Sequence, residues 1–163
     1  WRGCLPRIVR ANACHLFPIV EDRAAFLAAK DGQPHRFSVL ETSTGGQIAQ
    51  TFTSLSGASE HFLDGRIIYG QEAQKQFLAV QEFEDSSVSQ TRAQNLARAM
   101  QRHSGADWAL AETGMAGPPS KDRLSRKNGQ CYLGLVISTE VRYKFLEFNP
   151  FLTRKEHRSE EHT

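Results

Sequence analysis

Two glycine-bearing segments hold the chemistry that stands out in this chain. Residues 41–46 read ETSTGG and residues 113–118 read TGMAGP. Each follows a stretch patterned as a strand, and the first runs into the helical pattern QIAQTFTSL. A strand, a small polar loop with paired glycines and then a helix aims backbone N–H groups at one place, which suits an anion. Ser43, Thr44, Gly45 and Gly46 in the first loop and Thr113, Gly114 and Gly117 in the second are therefore the candidate ligand-binding residues. Taken singly, each loop is also ordinary turn chemistry. Together, at the carboxyl ends of strands in one sheet, they describe a shared pocket of N–H groups and hydroxyls with little charge. A phosphate or small polar ligand would fit it.

Metal chemistry finds no support. Cys4, Cys14 and Cys131 form no CxxC pair, and the adjacent Cys14 and His15 lack a second pair to complete a tetrahedron. His35, His61 and His103 share no metal-ligand spacing and read as solvated side chains at element ends. No metal and no cofactor are expected, and the three cysteines read as free thiols of a reducing compartment.

The elements that must position the two loops are legible from pattern. Residues 21–30 (EDRAAFLAAK) have acids at the start, a lysine at the end and helix formers between, and Asp31-Gly32 stops them. Residues 36–41 are strand-like, 66–69 (RIIY) read as a short buried strand, and 72–80 as a helix. The clearest helix is 89–103: Ser89 is a good N-cap, Ala93, Leu96, Ala97 and Met100 follow an apolar stripe, and Gly105 closes it. Residues 107–112 form the next strand, with Trp108 as core, and 120–128 are polar and basic through Lys121, Arg123, Arg126 and Lys127. Residues 131–138 and 141–148 are strands separated by Thr139 and Glu140, so they pair as an antiparallel hairpin. Strands alternating with helices and ending in a hairpin predict a three-layer α/β/α sandwich with a mixed sheet.

Composition agrees with one globular domain: 163 residues, 39% hydrophobic and 23% charged, enough chain to bury a core without disulfide or metal. A net charge of +2 is too small for a nucleic-acid binder, and no apolar run approaches the length of a membrane span. Residues 1–20 form a basic extension in which Arg2, Arg7 and Arg10 meet no acid before Asn12, the flavour of an organelle transit sequence. A plastid or mitochondrial location is the expectation, with the cytoplasm as the alternative. The domain proper is expected over 21–152. The tail, 153–163, has no apolar side chain and so is not expected to pack as an amphipathic helix.

The motifs, in order and at spacing, resemble the CinA C-terminal domain family of nicotinamide-nucleotide amidases. The family loop A-E-S-C-T-G-G corresponds to Leu40-Glu41-Thr42-Ser43-Thr44-Gly45-Gly46. L-T-x-x-x-G-A-S is matched by FTSLSGAS at 52–59, Y-S-N-E-A-K by YGQEAQ at 69–74, and V-S by Val88-Ser89. G-A-D-x-A-L is matched at 105–110, T-G-I-A-G-P at 113–118, and V-G-T-V-Y by Gly129 and Tyr132, so the resemblance covers about 20–148. It implies hydrolysis of the amide of nicotinamide mononucleotide, with the loop Ser as nucleophile and a Lys after the Tyr as its base. A hydroxyl needs such a base, and a partly buried lysine can serve when its pKa is depressed.

The chain departs from this pattern at the dyad. Thr42 stands at the nucleophile position, Ser43 at the family Cys, and Gln74 at the family Lys. Lys75 is adjacent, but one step along a helix turns a side chain by about 100°. Thr42, Tyr69 and Lys75 are therefore the catalytic residues the resemblance offers if activity survives. The expectation is a catalytically impaired CinA-like domain acting as a structural or accessory subunit of a larger assembly, with other protein subunits as partners. The alternatives are an active nicotinamide mononucleotide amidohydrolase, or a sensor that binds a nicotinamide nucleotide without cleaving it.

Overall fold

The computed structural model describes residues 35–54, 56–83, 86–117, 128–149, 151, 153, 155 and 156. The extension at 1–20, the helix expected at 21–30, the basic side chains from Lys121 to Lys127, Cys4, Cys14 and most of the tail lie outside the described residues. The elements are β1 (Phe37–Glu41), α1 (Gln47–Thr53), a 3₁₀ turn (Ala58–Glu60), β2 (Phe62–Ile67), α2 (Gln71–Leu78), α3 (Gln90–Ser104), β3 (Trp108–Gly114), β4 (Gln130–Ile137) and β5 (Glu140–Glu147). They build a five-stranded mixed sheet in the order β2-β1-β3-β4-β5, parallel across β2, β1 and β3 and antiparallel across β4 and β5.

Side-chain alternation explains the two cores. Phe37, Val39, Trp108, Leu110, Leu133 and Leu146 point to one face, where Ile48 and Phe52 of α1 cover them. The indole of Trp108 stacks on Phe37 with centroids 4.3 Å apart and planes 6° from parallel. Leu40, Ala109, Ala111 and Val136 point to the other face, under Leu96, Ala97 and Met100 of α3. Small residues on that face let the helix sit close: a Cβ at Gly134 would overlap the Ala93 carbonyl. β1 and β3 are buried along almost their whole length, as expected of strands covered on both faces.

Element ends follow local chemistry. The Ser89 hydroxyl accepts the Arg92 N–H at the start of α3, and Gly105 ends it in the left-handed region at φ 68°. Two expectations need correction. The strand read at 66–69 lies earlier, at 62–67, and is half-exposed: among the described residues β2 is an edge strand paired with β1, and Ile67 is 57% exposed, as is Tyr69 just beyond it at 55%. The hairpin turns one residue earlier than read, since Ile137 pairs with Glu140 and Ser138-Thr139 form the loop, with Ser138 at φ 54°. At the start of the tail, the Thr153 N–H donates to the Glu156 carboxylate and the Glu156 N–H donates to the Thr153 hydroxyl, a reciprocal helix-start cap.

Candidate functional site

Because β1 and β3 are parallel neighbours in register, with Leu40 opposite Ala111, both glycine loops leave the same end of the sheet. The loop after β1 has Gly45 at φ 67° and Gly46 at φ 104°, a conformation that glycine adopts without strain, and it turns directly into α1. Thr42, Ser43 and Thr44 are all buried. Their polar atoms are held by two carboxyl groups at the ends of the two strands.

Glu41 caps α1. It accepts the N–H groups of Gly46 at 2.8 Å, Ile48 at 3.2 Å and Ala49 at 2.7 Å, an acid at a helix start where the dipole favours it. Glu112, 0% exposed, reaches over from β3. It accepts the Thr42 N–H at 3.0 Å, the Thr44 N–H at 3.1 Å and the Ser43 hydroxyl at 2.5 Å. The Cys131 thiol lies 3.9 Å from the same carboxyl. Burial pushes the Glu112 carboxyl above its ordinary range, against the downward pull of hydrogen bonds from Ser43, Thr44 and Thr42.

Thr44 joins the two acids. Its Oγ1 is 2.5 Å from Glu41 Oε2 and 2.9 Å from Glu112 Oε2. One hydroxyl has one proton to donate, so both contacts are hydrogen bonds only when one carboxyl is itself protonated.

The second loop is tied down as well. The Thr113 hydroxyl donates to the Ser87 carbonyl at 2.5 Å, fixing the end of β3 to the approach of α3. Gly114 ends β3, and Gly117, at φ 101°, has its carbonyl held by the Asn128 amide at 2.7 Å.

Beside the loops, the side chains of Gln74 and Lys75 take different directions. Ile68, just past β2, donates its N–H to the Glu41 carbonyl, which sets the start of α2 near the first loop. Gln74 is the buried residue of α2, 4% exposed. Its amide donates to the Ile68 carbonyl at 3.3 Å, and its Oε1 accepts from Nη1 of Arg92 at 2.9 Å. Arg92 is itself buried, with its guanidinium 3.2 Å over the Phe83 ring. Lys75 turns away, its Nζ 3.1 Å from Glu72 and 3.3 Å from Glu82. The Glu72 carboxylate, and then Glu82, hold its ammonium above the ordinary lysine range, the reverse of what a general base needs. Tyr69 is exposed in the link between β2 and α2.

The structure thus gathers Thr42, Ser43, Thr44, Gly45, Gly46, Thr113 and Gly114 at one sheet end and sends the Lys75 side chain elsewhere. Sequence reasoning missed Glu112 and Arg92. A single acid at the end of the otherwise apolar strand WALAE was the available signal for the first, since buried charges need dedicated partners. For the second it was an arginine four residues before Leu96, on the same stripe. Among the described residues no cluster of His, Cys, Asp or Glu could hold a metal, and no helix is long and apolar enough to cross a membrane.

A five-stranded mixed sheet with two glycine loops at one end and a capping glutamate between them defines an α/β domain of a recognisable kind. The profile of the CinA C-terminal domain matches residues 22–162, and the chain belongs to that family. It is 42% identical over 118 residues to a CinA-like protein of Chlorobium chlorochromatii, covering 67% of this chain and 28% of that protein. It is 33% identical over 132 residues to a CinA-like protein of Geobacter sp., covering 79% and 31% respectively. The chain therefore spans under a third of the length of these curated relatives. Among solved structures, the competence damage-inducible protein A of Klebsiella pneumoniae superposes with a TM-score of 0.74 at 22% identity, over 87% of this chain and 86% of that one. A competence/damage inducible protein of Agrobacterium tumefaciens gives 0.70 at 24% identity, over 96% and 90%. At these identities the superpositions speak to the fold.

Proposed function

We propose that this chain is a CinA-type domain whose loops no longer carry out amide hydrolysis by the family's hydroxyl–lysine pair, and that it serves as an accessory subunit of a larger protein assembly. What supports this reading is position 74. A lysine there would be the base; Gln74 offers only amide atoms of negligible basicity, both already engaged, one by Ile68 and one by Arg92. Arg92 cannot substitute, because a guanidinium keeps its proton. Lys75, the nearest amine in sequence, is held as an ammonium by Glu72 and Glu82. Thr42 keeps a hydroxyl, but its extra methyl stiffens the side chain.

The test is an ammonia-release assay on purified chain with nicotinamide mononucleotide, beside affinity purification of the native chain. The expected results are turnover at the no-enzyme background and partner proteins in fixed stoichiometry. Turnover of about 1 per second or faster, an ordinary enzymatic rate, overturns the non-hydrolytic reading. If Lys75→Ala then abolished it, Lys75 would be the base after all. A native chain that elutes alone overturns the subunit reading.

A further inference from the structure

The loop after β1 has the form of an anion seat, yet five backbone donors of the loop and the helix it begins are already engaged. Of the N–H groups between positions 42 and 49, those of Thr42 and Thr44 go to Glu112 and those of Gly46, Ile48 and Ala49 go to Glu41. The two acids play different parts. Glu41 belongs to the loop's own strand and caps the helix that the loop begins, so its bonds are needed for the local fold. Glu112 comes from 68 to 70 residues further along the chain and inserts a carboxyl group into the concavity from the neighbouring strand. A carboxylate bound by two convergent amides and a hydroxyl is the arrangement by which proteins hold a bound anion. Here the anion is covalently part of the chain.

We propose that Glu112 is the specificity-determining residue of this loop: its side chain is the built-in occupant of the Thr42–Thr44 seat, and free anions of the phosphate class bind there only when that side chain is removed. The geometry is direct. A phosphate oxygen would have to take the position of Glu112 Oε2, 3.0 and 3.1 Å from the two nitrogens. The intramolecular group is always present at the seat, whereas an external anion must displace it and pay translational entropy. The neighbouring Glu41 carboxyl, bridged to Glu112 through Thr44, adds no attraction for a second negative ligand. This inference concerns binding and is independent of the missing base at position 74.

The test compares wild type with Glu112→Ala in phosphate-free buffer and in excess inorganic phosphate. Truncation leaves two buried amides unpaired, so Glu112→Ala should melt lower than wild type without phosphate. Phosphate should then raise its melting temperature by about 2–4 °C, while leaving wild type unmoved. If the alanine variant does not fold, Glu112→Ser also empties the seat and leaves only a short hydroxyl on the strand. Its Thr42 and Thr44 amide resonances should move with added phosphate, and those of wild type should not. Wild type responding as strongly as the variants overturns the proposal, and so does a variant that folds and ignores phosphate. Neither result bears on turnover, so this inference and the non-hydrolytic reading fail separately.

Discussion

At the scale of single residues, the buried carboxyl of Glu112 makes the most testable claim. Its pKa is raised by burial, so the folded chain holds this proton at a pH where the unfolded chain has released it. The groups facing it are the Ser43 and Thr44 hydroxyls, the Thr42 and Thr44 amides, the Cys131 thiol and, through Thr44, the Glu41 carboxyl. Linkage then gives the sign. Between the ordinary glutamate value near 4.5 and the raised folded value, the native state binds more protons, so stability falls as pH rises through that window. Glu112→Gln has no proton to lose and should show a shallower fall. Urea midpoints measured at steps from about pH 4 to pH 8 check this; equal slopes for the two chains would sink it.

A second residue-scale prediction concerns repair of the dyad. Gln74→Lys would place an ammonium where Arg92 now donates at 2.9 Å, two cations in a buried site. Like charges at that distance lower the lysine pKa, which favours a base, but they also destabilise the fold. Thr42→Ser with Gln74→Lys should therefore raise nicotinamide mononucleotide hydrolysis more than the sum of the single changes, because nucleophile and base act as a unit. The double variant should also melt lower than wild type. Activity no higher in the double variant than in either single one counts against position 74 as the seat of the missing base.

The elements were far more legible than the site, and the reason lies in what each depends on. The α3 stripe, the Ser89 cap and the Gly105 stop are local signals, and each appears where the pattern put it. β2 was misplaced because strand pattern does not tell an edge from a centre: RIIY is more apolar than FLDGRI, yet the pairing with β1 runs from Phe62 to Ile67. Glu112, Gln74 and Arg92 matter through partners 18 to 70 residues away, which no window of sequence displays. Packing of α3 on β4 is equally non-local and gives the element-scale prediction. Gly134 lies against the Ala93 backbone with no room for a Cβ, and a backbone carbonyl cannot swing aside as a side chain can. Gly134→Val, although better suited to a strand by propensity, should destabilise the chain by about 1–3 kcal/mol or more through overpacking. Chemical denaturation checks it, and a neutral or stabilising result would mean that α3 can lift off β4 at little cost.

At the scale of the molecule, two cores share one sheet. Val39 and Leu40, Ala109 and Leu110, and Leu133 and Val136 are near neighbours on the same strands but face opposite sides. Neither face can lose its packing without releasing strands that the other needs. The described domain should therefore unfold as one cooperative unit, although α1 covers one face and α3 the other. Changes on the two faces should nevertheless add. Ile48 and Leu96 sit on helices separated by the sheet and a layer of side chains on each side, roughly 20 Å in all, and share no side-chain cluster. Ile48→Val should cost about 0.5–1.5 kcal/mol and Leu96→Ala about 2–5 kcal/mol. The double variant should equal their sum within about 0.5 kcal/mol. The same samples test cooperativity. With Trp1 replaced by phenylalanine, emission follows Trp108 in the α1-side core, while far-ultraviolet circular dichroism is dominated by α3, the longest described helix. The two probes should trace one denaturation curve in wild type and in all three variants. If Leu96→Ala shifted the dichroism midpoint and left the Trp108 midpoint in place, the faces would be separate folding units, and the shared sheet would not couple them as its alternating side chains require.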